Sequence, residues 1–222
     1  RRTLADDASV SVSIGFPFTW YGTSYTSVHV GSNGVIAFGD AVTSYANTAL
    51  PATTAPNSVA AVLWDDLNPA AGGQVLTKTL GSSPNRQFVA VWSGIPHFTA
   101  GGTATFEVVL DESTQAITYQ YQDVVFGNVA YDRGASASVG TENQTGEYGT
   151  QVSFNTASIA DLSAVRCTTQ ATAPPVVTTT SVPAGTVGLL YGATLSASGG
   201  SFPLSWSVAA GSLPAGLSLS AN

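Results

Sequence analysis

For most of its length the chain consists of short runs of Val, Ile, Phe, Tyr and Thr, interrupted every few residues by Gly, Pro, Asn or Asp. Helical periodicity is almost absent. This pattern is typical of strands joined by tight turns. The clearest turn is Gly-Ser-Asn-Gly at residues 31–34, because an Asn-Gly pair adopts positive φ angles at little cost. It predicts a β-hairpin between residues 26–30 and 35–38, and an all-β chain.

The other predicted strands are short and closely spaced. Residues 9–14 alternate strictly between polar and apolar, as a half-buried strand does, whereas residues 59–64 are apolar almost throughout, which predicts a strand buried on both faces. One sheet layer cannot bury both faces of such strands, so we predict a large antiparallel β-sandwich. Further strands are expected at residues 74–80, 87–92, 103–110, 116–121, 135–140 and 151–154, and the best short helical turn at 157–162.

The composition changes after residue 168. Residues 169–180 are rich in Pro and Thr, which predicts a semi-rigid linker rather than a loose tether. The chain is therefore divided into an extracellular-type β-sandwich domain at 1–168, a linker at 169–180 and a C-terminal segment at 181–222.

The C-terminal segment carries a recognisable string of residues. Ser-Val-Pro-Ala-Gly-Thr-Val-Gly-Leu-Leu-Tyr begins at residue 181, and Leu-Pro-Ala-Gly-Leu-Ser-Leu begins at residue 213. These strings resemble the first half of the Ig-like modules of bacterial secreted and cell-surface proteins. The resemblance implies a partial Ig-like module. Its remaining strands are expected either from a continuation of the chain or from another copy, through strand addition at an open sheet edge that could build a filament.

The first domain carries a second resemblance. Gly-Phe-Pro-Phe-Thr-Trp-Tyr-Gly at residues 15–22, the Asn-Gly hairpin and the Trp-Asp-Asp-Leu string at residues 64–67 are similar to nidogen-like domains. The similarity spans about residues 6–165. Related patterns occur beside Ig-like modules in bacterial surface proteins and in accessory regions of secreted proteases. The resemblance implies an extracellular location and an adhesive, matrix or accessory binding role.

Composition excludes several partners. Net charge is −7 with a single lysine, Lys78, so there is no basic surface for nucleic acid. No apolar run approaches the roughly 18–20 residues that span a bilayer, so we expect no membrane insertion. Cys167 is the one cysteine, which excludes a disulfide within the chain, and we expect it to be a buried, inert residue.

The strongest candidate for a metal site follows the predicted buried strand. Asp65, Asp66 and Asn68 offer carboxylate and amide oxygens, which are the ligands that Ca²⁺ prefers. Asp40 or Asp123 could complete the coordination shell. The alternative is that Asp65 and Asp66 cap a turn by accepting backbone N–H bonds.

A group of aromatic residues is the candidate for ligand binding. Trp20, Tyr21 and Tyr25 lie close together in the sequence and, if exposed, could stack on the rings of an extracellular polysaccharide. Alternating aromatic residues on strands are more often core or cross-strand pairs. Exposed rings would favour glycan binding, and buried rings would favour a scaffolding role.

Catalysis has little support in the sequence. The two histidines, His29 and His97, are far apart, and no known catalytic motif surrounds either one. An enzyme would need one of them beside a carboxylate in a cleft. We therefore predict a non-catalytic, secreted or cell-surface structural or adhesive protein, with copies of itself or neighbouring surface modules as partners. The alternative is an accessory substrate- or carbohydrate-binding module of a larger secreted hydrolase.

Overall fold

The computed structural model of the protein describes residues 4–168, 176–186, 188–198 and 205–220. The chain divides into two compact units, Arg1–Thr169 and Gln170–Asn222. In the described part of the first unit the strands are β1 (Ser9–Trp20), β2 (Thr23–Gly31), β3 (Val35–Ala37), β4 (Val59–Trp64), β5 (Gln74–Leu80), β6 (Gln87–Pro96), β7 (Thr103–Asp111), β8 (Ala116–Asp123), β9 (Ser138–Glu142), β10 (Gly149–Phe154) and β11 (Ser163–Thr168).

These strands form two antiparallel sheets. The first has six strands in the order β1-β2-β3-β4-β9-β10, and the second has five in the order β11-β8-β7-β6-β5. Strands such as β7 bury every second residue, as expected where one face of a sheet packs on a core and the other faces solvent. This arrangement confirms the predicted all-β sandwich, including the hairpin in which Val30 pairs with Ile36.

Strand β4 is buried on both faces, as predicted, because different parts of the protein cover each face. Ala60 and Val62 belong to the core between the sheets. Val59, Ala61 and Trp64 belong to a separate apolar cluster on the outer side of the six-stranded sheet, which Val42 and Leu50 complete. Those two residues come from the connection between β3 and β4. Residues 39–57 of this connection contain neither helix nor strand, and we call them the strap.

The strap is held to the sheet by polar groups instead of a ladder of strand hydrogen bonds. Trp64 Nε1 donates to the carbonyl of Ser44 over 2.9 Å, and Ser138 Oγ donates to the carbonyl of Thr48 over 2.5 Å. The backbone N–H of Leu50 donates to Gln151 Oε1. An irregular segment can therefore cover an apolar face because its own backbone groups find partners there.

Three aromatic side chains of the five-stranded sheet donate hydrogen bonds across the core to backbone carbonyls of the other sheet. Tyr121 Oη donates to Val62 O over 2.7 Å and Tyr119 Oη donates to Gly140 O over 2.8 Å, while Trp92 Nε1 donates to Gly31 O over 3.0 Å. Burial raises the pKa of both tyrosines, since their ionised forms would lose water without gaining a cation.

The second unit has little regular structure in its described part. Val176 and Val177, which the prediction placed in the linker, form β12 (Val176–Val177) and pair with β13 (Ala197–Ser198). Linker residues 169–175 lie outside the described residues. No helix in the described ranges is long and apolar enough to cross a membrane.

Two local predictions in the first unit need correction. Residues 157–162 form no helical turn. The helical element that the structure does describe in this unit is a short 3-10 turn at Asp132–Gly134. Strand β11, which pairs with β8 along its whole length, was not among the predicted strands. The alternation of polar and apolar residues in β11 is short and lies next to the linker, so the composition did not indicate a separate strand.

The hairpin turn between β2 and β3 is enclosed by the rest of the fold. Gly34 has a φ of 73°, and its carbonyl accepts from two consecutive backbone N–H groups, those of Val62 (3.0 Å) and Leu63 (3.1 Å). A Cβ atom at this position would overlap the carbonyl oxygen of Leu63. Position 34 therefore requires glycine for two reasons, its backbone conformation and the lack of space.

Replacing Gly34, and a second glycine that has space around it, should separate the cost of the backbone conformation from the cost of the steric overlap. Gly34→Ala is expected to lower the free energy of unfolding by roughly 3 kcal/mol or more, because a positive φ angle and a steric overlap both oppose the new methyl group. Gly127→Ala is the matched control: φ is 80° there and no atom lies within 4 Å of the added Cβ. It should cost about 1 kcal/mol. Urea denaturation measures both, and equal losses would contradict the assigned overlap.

Candidate functional site

Polar side chains collect where β4 ends, next to the buried hairpin turn. We call them the strand-end cluster: Asn33, Asp65, Asp66, His97 and Ser136. Asp65 and Asp66 directly follow β4, and His97 directly follows β6 and forms an isolated bridge with Leu67. Loops at one end of the sandwich thus bring together residues that are far apart in the sequence.

Asn33 joins three segments of the chain at this end. Its side chain is buried; Oδ1 accepts from the backbone N–H of Leu67 over 3.1 Å, and Nδ2 donates to Asp7 Oδ1 over 2.8 Å and to the carbonyl of Thr43 over 3.1 Å. The segment before β1, the strap and the end of β4 therefore share one amide group. Each of these bonds is buried or half-buried, so loss of the amide would leave polar groups without partners.

Asp65 is buried, with 5% of its surface exposed, and both of its carboxylate oxygens have partners. Oδ2 accepts from Ser136 Oγ over 2.5 Å. Oδ1 accepts from the backbone N–H of Asp66 over 3.0 Å and lies 3.4 Å from His97 Nε2. Both carboxylate oxygens of Asp65 are therefore engaged within the protein, although His97 Nε2 itself has no hydrogen-bond partner among the described residues.

The tautomer of His97 follows from its neighbours. Nδ1 accepts from the backbone N–H groups of Thr99 (3.1 Å) and Ala100 (3.4 Å), so in the neutral ring the proton is on Nε2, facing Asp65. The ring packs at 4.1 Å between centroids on Tyr131, and only 4% of the residue is exposed. A histidine does lie beside a carboxylate, but the pair is enclosed by the fold instead of lining a cleft.

The predicted calcium ligands do not act together. Asn68 Oδ1 accepts from the backbone N–H groups of Ala70 (2.9 Å) and Ala71 (3.1 Å), and so caps its own turn. With Asp65 also engaged internally, only Asp66 of the predicted set is left to approach other carboxylates. Asp40 and Asp123, the candidates for completing the shell, are exposed and lie outside the group that does converge.

Asp66 instead approaches two residues that precede β1. One carboxylate oxygen from each of Asp6, Asp7 and Asp66 lies within 4.8 Å of the others. Burial raises the pKa of Asp66; His97 opposes this shift, and the charges of Asp6, Asp7 and Asp65 add to it. No local sequence pattern indicates this group, because Asp6 and Asp7 are about sixty residues before Asp66 and approach it only in the folded chain.

Calcium binding stays a prediction, and the carboxylates that lie close enough to share an ion are those of Asp6, Asp7 and Asp66. Three neighbouring carboxylates repel one another, and a divalent cation would remove that repulsion. Calcium at about millimolar concentration should raise the melting temperature of EDTA-treated protein. Asp66→Asn should abolish the rise, whereas Asp123→Asn, a change at an exposed aspartate, should preserve it. A melting temperature that is insensitive to calcium would contradict the prediction.

Trp20, the first of the three aromatic candidates for ligand binding, is a core residue. This side chain is fully buried, its ring stacks on Phe38 at 4.3 Å between centroids, and its Nε1 donates to the carbonyl of Glu142. Tyr21 and Tyr25 are half-buried and pack edge-on or tilted against Trp20 and Phe38. Tyr21 Oη also bonds Thr141 Oγ1 over 2.9 Å. Trp20 therefore belongs to the core, and Tyr21 and Tyr25 lie half-buried at its margin.

Comparison with known proteins agrees with this architecture. The profile of one protein family, described as nidogen-related (NIDO related), matches residues 1–182. The chain belongs to the nidogen-related family. No curated protein and no solved structure matches the chain. Nidogen-related domains are typically extracellular, and the match covers the whole of the β-sandwich unit.

Proposed function

We propose that this nidogen-related chain is a non-catalytic structural or adhesive module of a secreted or cell-surface protein. The observation that carries the proposal is the family match over residues 1–182, because the family is typical of extracellular proteins. The acidic, lysine-poor composition is compatible with this environment.

The histidine and carboxylate pair supports a structural role over a catalytic one. A general base must reach the proton that it removes from a substrate. His97 and Asp65 are both enclosed, and the carboxylate accepts hydrogen bonds from Ser136 and from the backbone N–H of Asp66, with the imidazole packed beside it. In this arrangement the pair fixes loops at the end of the sandwich and presents no reactive atom to solvent.

The alternative of an accessory carbohydrate-binding module has less support, because one of its three candidate residues is fully buried. Stacking on a sugar needs an exposed ring, and the ring of Trp20 is inaccessible. Tyr21 and Tyr25 each present only part of a ring. None of the other residues described here favours a polysaccharide over a protein partner, so adhesion between protein surfaces is the proposal that we retain.

The second unit carries the observation that supports assembly between copies of the chain. Eight apolar side chains in the described part of this unit are exposed, and Leu190 is fully exposed: the set comprises Val176 (58%), Val177 (58%), Val182 (50%), Leu189 (71%), Leu190 (105%), Val208 (46%), Leu213 (40%) and Leu217 (41%). Exposed apolar groups of this density are typical of interaction surfaces. We propose that a strand from another copy of the chain covers them, which is the strand addition implied by the Ig-like resemblance.

Assembly can be tested with a pair of matched substitutions. Beads coated with the full chain should aggregate, and the free chain should self-associate in light scattering at about micromolar concentration. Leu190→Asp should weaken both effects at least about tenfold, because a charge at the contact is costly to bury. Val129→Asp is the control, since Val129 is 87% exposed in the first unit.

The outcomes distinguish the parts of the proposal. A strictly monomeric chain whose beads do not aggregate would overturn assembly between copies. Equal weakening by both substitutions would show that surface charge, and not the second unit, controls association. Retention of bead aggregation in Leu190→Asp would leave adhesion in place but assign it to the β-sandwich unit.

A further inference from the structure

The strap covers a carboxyl group that lacks a full set of partners. Glu142, the last residue of β9, has no exposed surface. Its Oε2 accepts from the backbone N–H of Ala52, in the strap, over 2.9 Å. Its Oε1 is buried and has no hydrogen-bond partner. Buried carboxylates normally accept several hydrogen bonds or pair with a cation, so this group is unusual in the fold.

No charge on the surrounding elements compensates Glu142. Strands β4 and β10 contain no titratable residue. The strap contains Asp40 and Tyr45, and neither hydrogen-bonds Glu142. In the connection between β9 and β10, Glu147 accepts from Thr145 Oγ1, and Tyr148 donates its backbone N–H to Asn143.

The remaining neighbour is Tyr21, which follows β1. Burial raises the pKa of Tyr21, the bond to Thr141 lowers it, and the nearby charges of Cys167 and Glu142 raise it further. This phenol is neutral at physiological pH and so cannot balance an anion. An ionised Glu142 would therefore be a single negative charge beneath the strap, held by one N–H group.

The cost of that charge depends on whether the strap is in place. Burial raises the pKa of Glu142 to about 7, although the Ala52 N–H bond opposes the shift. If the Ala52 end of the strap moved away, water could solvate the carboxylate and its pKa would return towards the ordinary value of about 4.3. The covered state thus holds its proton up to a higher pH than the uncovered state.

We propose that the strap is a pH-responsive cover of the six-stranded sheet, closed over protonated Glu142 and released at its Ala52 end when Glu142 ionises. The contribution of this group to closure is fully present below the carboxyl pKa of the open state. It is lost progressively as pH rises from there through about 7. Release would uncover part of the apolar cluster on the outer sheet face, formed by Val35, Ala37, Val59, Ala61 and Trp64 beneath Val42 and Leu50.

Hydrogen exchange of the strap provides the test. With rates corrected for intrinsic exchange, protection of amides near Ala52 should fall at least about tenfold between about pH 5.5 and about pH 7.5. Glu142→Gln cannot ionise and keeps an oxygen for the Ala52 N–H, so its strap should show equal protection at both values. Glu107→Gln is the control, because burial also raises the pKa of Glu107, which lies in β7 of the other sheet. That variant should keep the wild-type pH dependence.

Two results would overturn the proposal: a wild-type strap whose protection is independent of pH, or a Glu142→Gln strap that keeps the wild-type dependence. If Glu142→Gln fails to fold, the wild-type protein still decides the question. The chain contains four glutamates, Glu107, Glu112, Glu142 and Glu147, so carbon-13 labelling resolves each carboxyl titration. If the strap responds to Glu142, the chemical shifts of its amides must change with the same midpoint pH as the Glu142 carboxyl group. A different midpoint would contradict the coupling between the strap and Glu142. None of these readouts depends on adhesion or assembly.

Discussion

The first unit depends on a hairpin turn that is buried inside the protein. The carbonyl of Gly34 accepts two backbone N–H groups from the end of β4, and the side chain of Asn33 binds the segment before β1, the strap and Leu67. Turns usually lie in water because their backbone groups need partners. Here those partners are other segments of the chain, so the hydrogen bonds of one turn determine where three of those segments lie.

Backbone groups also find their hydrogen-bond partners in distant segments across the core. The pairing of β4 with β9 is irregular between Ala61 and Trp64, and irregular pairing leaves backbone carbonyls without ladder partners. The hydroxyl of Tyr121 donates to one such carbonyl, that of Val62. At this irregularity a polar side chain from the opposite layer supplies the missing partner, and this restricts how the two sheets can be placed relative to each other.

The sequence predicted the structural features that depend on residues close together in the chain. It did not predict the contacts between residues that are far apart in the chain. The hairpin and the doubly buried β4 follow from local patterns. The burial of Trp20 was also predictable, since the alternation of residues 12 and 14 continues through 16, 18 and 20 on the core side of β1. The approach of Asp6 to Asp66 and the closure of Ala52 over Glu142 join segments more than fifty residues apart, and no local pattern encodes them.

The connectivity of the β-sandwich has a mechanical consequence. Its first strand, β1, is at the edge of the six-stranded sheet, and its last strand, β11, is at the edge of the five-stranded sheet. Tension applied between the two ends of this unit therefore passes from one layer to the other across the core. The load enters through the pairing of β1 with β2, crosses the core at its packed side chains and at the bonds of Tyr119, Tyr121 and Trp92, and leaves through the pairing of β8 with β11.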